Sequence, residues 1–144
     1  MTVPAHVSLI TLGVADVARA TRFYETLGWR RSSASVEGEV SFFHTSGAIV
    51  GLYDERRLAE DLDLEGERPS RFRGVNLAIN VGGEAEVDAA LDAAREAGAE
   101  IIEGERASWG GYVGYFTDPD GHVWEVAHNP AFPLAPDGSI TIPE

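Results

Sequence analysis

Residues 7–29 read VSLITLGVADVARATRFYETLGW, and they decide the fold together with their second occurrence at residues 75–99, VNLAINVGGEAEVDAALDAAREAGA. Each stretch begins with a strand-like apolar run, passes an acidic link into a helical pattern, and ends at a glycine, Gly28 or Gly98. The two occurrences lie about 67 residues apart, and two copies are too few for a solenoid. The sequence therefore predicts two related units that bury a shared surface. Two unrelated α/β halves are the alternative.

The spacing of apolar residues predicts one long helix in each copy. In the first copy, Asp16 is placed to cap a helix that we predict over Val17–Thr26. In the second copy, an apolar stripe predicts a helix over Glu84–Ala97. Gly28 and Gly98 follow these helices, because glycine readily takes the left-handed conformation at a helix exit.

Each helix is preceded by one predicted strand and followed by three. The strands are predicted at Val7–Val14, Trp29–Val36, Glu39–His44 and Ala48–Tyr53 in the first copy, and at Gly74–Val81, Ile101–Arg106, Gly111–Thr117 and Val123–Ala127 in the second. Residues 54–64 are compatible with a further helix, and residues 118–121, DPDG, are a strong turn signal between the last two strands.

These patterns predict a single α+β domain over residues 1–144, built from two βαβββ modules at about 5–64 and 74–130. Residues 65–73 are polar, with Gly66 and Pro69, and we interpret them as a connector. A proline-rich extension with a strand-like end, residues 131–144, follows the second module. We expect it to pack on the domain or on a partner, or to be loosely ordered as chain ends commonly are.

The composition excludes several classes of function. The chain has 144 residues, no cysteine and a net charge of −13. Disulfides, thiolate metal sites and a cysteine nucleophile are therefore impossible, and nucleic acid and anionic lipid are poor partners for so acidic a surface. Residues 1–8 do not have the pattern of a signal peptide, and no apolar run is long enough to span a membrane. We expect a cytoplasmic protein.

Two segments resemble a known family. Residues 7–16, VSLITLGVAD, followed by residues 22–29, RFYETLGW, resemble the opening of the vicinal oxygen chelate superfamily. Residues 116–125, FTDPDGHVWE, resemble the end of its second module. This group includes glyoxalase I, bleomycin-resistance proteins, fosfomycin-resistance enzymes and extradiol dioxygenases. The resemblance implies paired βαβββ modules that form a curved, incompletely closed sheet around a cup, with the helices outside, and frequent homodimers.

The resemblance also implies a divalent metal held by four side chains, usually His and Glu. The positions that match these ligands are Leu9, Gly51, Asn76 and Glu125. Leu9 and Gly51 have no coordinating side chain, and Asn76 offers only an amide oxygen, so Glu125 is the one good match. Zinc and iron sites usually need three protein ligands. We therefore expect no metal cofactor, although a divalent ion bound through other positions stays open.

Without a metal, we expect the cup to be an apolar pocket with a few polar groups. The residues predicted to contact a ligand are Leu9, Thr11, Phe43, Tyr53, Asn76, Asn80, Trp109 and Tyr115, around Glu125. Glu125 is either a hydrogen-bonded structural carboxylate, a ligand-binding group, or a general acid or base. Trp109 either closes the mouth of the cup or packs in the core. None of the four histidines forms a recognisable catalytic pattern with Glu125.

Three hypotheses follow. The leading one is a metal-free, small-molecule-binding protein of the bleomycin-resistance type that holds an aromatic or cationic compound and forms a homodimer. The second is a glyoxalase-like lyase or isomerase, or a dioxygenase, that uses Glu125 with or without a metal. The third is a structural or regulatory dimer in which the cup is vestigial.

Overall fold

The computed structural model describes residues 2–144, and its chain divides into two compact units, Met1–Glu67 and Arg68–Glu144. Within the described residues there are three helices and seven strands in two mixed sheets. The predicted α+β class is therefore confirmed. No helix in this part of the chain is long and apolar enough to cross a membrane.

The first unit contains a three-stranded sheet and two helices. Its elements are β1 (Leu9–Val14), α1 (Val17–Thr26), β2 (Val40–Phe43), β3 (Ile49–Asp54) and α2 (Glu55–Asp61). The sheet has the order β1-β3-β2, with β1 parallel and β2 antiparallel to the central β3. The chain runs from β1 through α1 to β2 and then to β3, so the parallel partner of β1 is reached only after the helix and one further strand.

Helix α1 forms where the sequence predicts it. The Asp16 carboxylate accepts a hydrogen bond from the Arg19 backbone N–H at 3.0 Å and so caps the first turn. Gly28 takes a φ of +88° at the exit, where Trp29 N–H donates to the Tyr24 carbonyl at 3.1 Å. The buried face of α1 packs on one face of the sheet, and the core is made by Leu12, Val14, Ala20, Phe23, Tyr24, Phe43, Val50 and Leu52.

The predicted strand Trp29–Val36 is wrong. Only two isolated bridges form there, Arg31 to Phe43 and Val36 to Val40. Between these bridges, two serine hydroxyls accept hydrogen bonds from backbone N–H groups. Ser32 Oγ accepts from Ala34 at 3.1 Å, and Ser35 Oγ accepts from Phe42 of β2 at 2.9 Å. These bonds offer the backbone an alternative to a ladder, so the segment turns instead of running as a fourth strand.

The second unit contains a four-stranded sheet and one helix. Its elements are β4 (Leu77–Asn80), α3 (Glu84–Glu96), β5 (Glu100–Arg106), β6 (Tyr112–Thr117) and β7 (Val123–His128), and the sheet order is β4-β7-β6-β5. Strand β4 is parallel to β7, whereas β6 is antiparallel to both of its neighbours. All four predicted strands of this copy are therefore present.

The core of the second unit lies between α3 and one face of this sheet. Val87, Leu91 and Ala94 of α3 are buried, as are Phe116, Trp124 and Val126 of the sheet. Gly114 allows the close approach, since a Cβ there would lie 2.5 Å from Leu91 Cδ1. The turn before β7 is held by Asp118, whose Oδ1 accepts from the backbone N–H groups of Asp120 and His122, each at 2.9 Å.

The C-terminal extension forms a small hairpin. Leu134 and Ile140 make one antiparallel bridge, and Ala135 N–H donates to the Ser139 carbonyl at 2.8 Å. Asp137 stabilises the turn by accepting bonds from both the N–H and the hydroxyl of Ser139, and these bonds lower the pKa of its carboxyl group. Ile142, beyond the hairpin, is exposed.

Candidate functional site

The second sheet has one face that does not pack on α3, and Glu125 lies at its centre. We call it the Glu125 face. Directly opposed residues of neighbouring strands share a face, and the register places Ala78, Glu125, Tyr115 and Ile102 in one row across β4, β7, β6 and β5. Alternation along the strands and the same register add Asn76, Asn80, Val113, Val123, Ala127, Thr117, Glu100 and Glu105. The face is therefore mixed: Glu125 lies in its middle among apolar side chains and Tyr115, and Glu100 and Glu105 lie on the outer strand β5.

Asn76 and Glu125 are in direct contact. Asn76 Nδ2 donates a hydrogen bond to Glu125 Oε2 at 3.2 Å. Asn76 directly precedes β4, one row from Ala78, so the parallel pairing of β4 with β7 brings its amide diagonally to the carboxylate. Glu125 is half-buried and Asn76 is exposed. The amide fixes one carboxylate oxygen and leaves the other for a different partner.

Tyr115 is the direct cross-strand neighbour of Glu125 on β6. Burial raises the pKa of its phenol, and the negative charge of Glu125 raises it further. The phenol therefore keeps its proton at neutral pH. The pair presents an O–H group and a carboxylate side by side, one able to donate and the other able to accept a hydrogen bond.

Asn80 and Trp109 lie toward one end of the second sheet. Asn80 is opposite Ala127, one row beyond Glu125, and is half-buried. Trp109 lies in the loop before β6, with 52% of its surface exposed, and its ring covers Gly111, where a Cβ would be only 1.8 Å from Trp109 Cζ3. Gly111 is thus required for this ring position. Trp109 is not a core residue of this unit.

The predicted ligand residues of the first unit lie on the sheet face away from α1, with one exception. Leu9 and Thr11 are exposed and Tyr53 is half-buried, and all three alternate with the core residues. Gly51 lies between them, paired with Thr11 on β1 and Phe42 on β2. We call this the Gly51 face. Part of it is covered by α2, because a Cβ at Gly13 would lie 3.2 Å from side-chain atoms of Glu55 and Leu58.

Phe43 is the exception, and its assignment to a ligand site needs correction. It points toward α1, is fully buried, and packs against Tyr24 and Trp29 with ring centroids 5.7 and 6.4 Å away. Its neighbour Phe42 points to the opposite face, as strand alternation requires. Phe43 is therefore a core residue of the first unit.

The donor set does not fit the divalent metal that the superfamily resemblance implies. Leu9 is apolar, and Gly51 has no side chain; its position is bordered by apolar atoms, since a Cβ there would contact Phe42 at 3.4 Å and Leu9 at 3.5 Å. Asn76 turns its NH₂ group, which cannot coordinate a cation, toward Glu125. Across residues 2–144, no three His, Asp or Glu side chains are grouped so that they could hold a metal ion.

Two histidines of the second unit have partners that the sequence did not reveal. Arg73 Nη1 donates to His122 Nδ1 at 2.8 Å, while Arg73 Nη2 donates to the Asp120 carbonyl at 2.7 Å. His128 Nδ1 lies 3.3 Å from the Val81 carbonyl, to which it donates. These contacts fasten the connector and the end of β4 to the rest of the unit, which is a structural role. No sequence signal links Arg73 to His122, which is 49 positions away.

Comparisons with known proteins agree with the architecture. A family model described as the Glyoxalase/Bleomycin resistance protein/Dioxygenase superfamily matches residues 5–126. A search of curated proteins finds no match.

Solved structures extend this similarity over most of the chain. A glyoxalase-related enzyme from Fulvimarina pelagi is 33% identical, with a TM-score of 0.84 over 96% of this chain and 99% of its own. A glyoxalase/bleomycin resistance protein/dioxygenase from Nocardioides is 26% identical, with a TM-score of 0.72 over 89% of this chain and 85% of its own. A lactoylglutathione lyase from Agrobacterium tumefaciens is 19% identical, with a TM-score of 0.63 over 88% of this chain and 95% of its own, and it shares the fold.

Proposed function

We propose that this chain, which belongs to the Glyoxalase/Bleomycin resistance protein/Dioxygenase superfamily, binds a small organic molecule on the Glu125 face without the divalent metal that the superfamily implies. The observation that carries the proposal is the Asn76–Glu125 contact. Asn76 stands at a position where the superfamily has a metal ligand, and its Nδ2 donates a hydrogen bond to Glu125 Oε2 at 3.2 Å. A metal at this position would need an oxygen or nitrogen atom with a free lone pair.

The surroundings of Glu125 support a binding role. Small-molecule sites are mostly apolar and carry a few polar groups that fix the orientation of the ligand. The middle of the Glu125 face has this composition, with Ala78, Val113 and Ala127 around one carboxylate, one phenol and the amides of Asn76 and Asn80. Trp109 adds an exposed aromatic ring in the loop before β6.

Titration calorimetry and amide chemical-shift mapping test this function together. The full chain is titrated with a panel of flat aromatic amines, alcohols and acids. We expect at least one class to bind, with the shifted amides concentrated in Asn76–Asn80, Val113–Tyr115 and Val123–Ala127, while amides on the exposed side of α3 stay unchanged. Binding by no member of the panel, or shifts confined to other parts of the chain, would contradict the proposal.

A second candidate function is catalysis by Glu125. The observation that favours it is the adjacent Tyr115, which stays protonated and so supplies a proton donor beside a carboxylate acceptor. Lyase, isomerase and dioxygenase activities of the superfamily are the reactions to assay. Elemental analysis of protein purified without chelators separates the candidates, because stoichiometric zinc, nickel, manganese or iron would overturn the metal-free proposal.

The proposal includes a homodimer in the cytoplasm. The homodimer is supported by the superfamily, in which homodimers are frequent. The acidic charge of −13 supports only solubility. Light scattering coupled to size-exclusion chromatography tests the oligomeric state, and a monomer at micromolar concentration would overturn that part.

A further inference from the structure

The carboxylate of Glu125 makes no ion pair among residues 2–144. All eleven basic residues of the chain are arginines, and those of the second unit are engaged elsewhere or lie outside its hydrogen-bonding reach. The hydrogen bond from Asn76 is the only one that the carboxylate of Glu125 makes within residues 2–144. The carboxylate is thus bonded to a neutral amide and has no counter-charge beside it. A cation bound next to it would supply that counter-charge and a charge-assisted hydrogen bond.

The side chains in the row of Glu125 favour an organic cation over a hydrated one. The neighbours of Glu125 across the strands are Ala78 and Tyr115, and Ile102 follows on β5, where 66% of its surface is exposed. The apolar body of a ligand that covers these side chains would displace water from the carboxylate, and opposite charges attract more strongly when water is displaced. Tyr115 lies directly beside Glu125, and aromatic rings attract cations because they carry negative charge above their plane.

We propose that the ligand of the Glu125 face is an organic cation, in which an ammonium or amidinium group is attached to a flat apolar body. The cationic group donates to the carboxylate oxygen that Asn76 leaves available, and the apolar body lies over Tyr115 and Ile102. This inference rests on the proposed function and specifies the chemical class of its ligand. Asn76 is then a positioning residue, because it orients the carboxylate without neutralising it.

The same geometry disfavours the other ligand classes. An organic anion would be repelled by Glu125 and by the net charge of −13. A neutral alcohol would form an ordinary hydrogen bond with the carboxylate but would leave its charge uncompensated. Hydrogen bonds between two charged groups are stronger than those with a neutral donor, by an amount that corresponds to about tenfold in affinity.

Three matched probes test this inference: 2-phenylethylammonium, 2-phenylethanol and 3-phenylpropionate, titrated calorimetrically into the full chain at low ionic strength. We expect the ammonium to bind about tenfold more tightly than the alcohol, and the carboxylate to bind most weakly. Glu125→Gln should remove the preference for the ammonium over the alcohol. Glu96→Gln, which removes the same charge from the exposed end of α3, is the matched control and should preserve it.

The outcomes separate the inference from the function on which it rests. If the alcohol or the acid binds as tightly as the ammonium, or if Glu125→Gln keeps the preference, the ligand is not a cation held by Glu125, while small-molecule binding stands. If none of the probes binds at millimolar concentration, this inference is overturned, and the shift mapping with the wider panel decides the proposed function. A thermal melt of each variant verifies that Glu125→Gln is folded, and added salt should reduce the preference in the unmodified protein.

Discussion

The two sheets have the same plan around their central strands but carry different chemistry there. In each, the central strand has a parallel neighbour on one side and an antiparallel neighbour on the other. The row Thr11–Gly51–Phe42 of the first sheet therefore corresponds to the row Ala78–Glu125–Tyr115 of the second. A glycine stands where the other copy has a carboxylate, so the backbone plan is repeated and the polar site is not.

The difference extends to the residues beside each centre. Around Gly51, the neighbouring side chains of Phe42 and Leu9 are apolar and would contact a Cβ at 3.4–3.5 Å. Around Glu125, Asn76 donates a hydrogen bond and Tyr115 keeps its phenol protonated. The Gly51 face is thus an apolar packing surface, whereas the Glu125 face is a place for a polar ligand group. A repeated fold constrains hydrogen-bonded backbone positions and the core, and it leaves the residues on the opposite face free to diverge.

The largest expected effect is a difference in stability between variants on the two faces of the first sheet. Phe43→Ala removes a fully buried ring that packs on Tyr24 and Trp29, and it should lower the free energy of unfolding by about 3–5 kcal/mol. Phe42→Ala changes the adjacent residue on the Gly51 face, which is half-buried, and should cost no more than about 1–2 kcal/mol. Chemical denaturation of both variants measures the difference. Equal costs would show that Phe43 is not the core anchor that its packing indicates.

A smaller difference in stability is expected between alanine substitutions at one glycine of each sheet, Gly114 and Gly51. Alanine at Gly114 would place its Cβ 2.5 Å from Leu91 Cδ1 and 2.9 Å from the Ile102 carbonyl, so Gly114→Ala should cost about 1–3 kcal/mol. Alanine at Gly51 would meet only side chains at 3.4–3.5 Å, which is ordinary contact. Gly51→Ala should therefore stay within about 0.5 kcal/mol of the parent protein. Thermal melts of the two variants suffice, and a strongly destabilised Gly51→Ala would contradict the description of the Gly51 face.

The helices and most strands could be predicted from the sequence because their signals are local. Apolar spacing and the cap at Asp16 define α1 over the same residues as predicted, and the turn DPDG marks the start of β7. The prediction of a strand over Trp29–Val36 failed because serine hydroxyls accept hydrogen bonds from backbone N–H groups there, Ser32 from Ala34 and Ser35 from Phe42 of β2. Periodicity does not report this competition.

The candidate site could be predicted only in part because it depends on contacts between distant residues. The family resemblance singled out Glu125, Tyr115 and Asn76, but the register of β4 against β7 decides that Asn76 reaches the carboxylate. Parallel strands are not joined by a tight turn that fixes their register. The same limitation explains Phe43, since its neighbour Phe42 is equally apolar and the face of a four-residue strand is set by packing against α1.

The smallest expected effect concerns the phenol beside the carboxylate. Burial raises the pKa of Tyr115 above its ordinary value of 10.0, and the charge of Glu125 adds to this. The stability that the protonated phenol contributes is fully present below the ordinary pKa and is lost as the pH rises through the raised value. Ultraviolet absorbance titrations of the parent protein and of Tyr115→Phe should therefore differ by one tyrosine, and that tyrosine should ionise above the ordinary pKa. Glu125→Gln should lower that pKa partway, because burial, the larger cause, is retained.

Tyr112→Phe is the control, since the late ionisation of Tyr112 arises chiefly from its hydrogen bond to Asp88 and should not respond to Glu125. A Tyr115 that titrates identically in the parent and in Glu125→Gln would mean that the two side chains do not interact, and the distinction between the Glu125 and Gly51 faces would then rest on Asn76 alone.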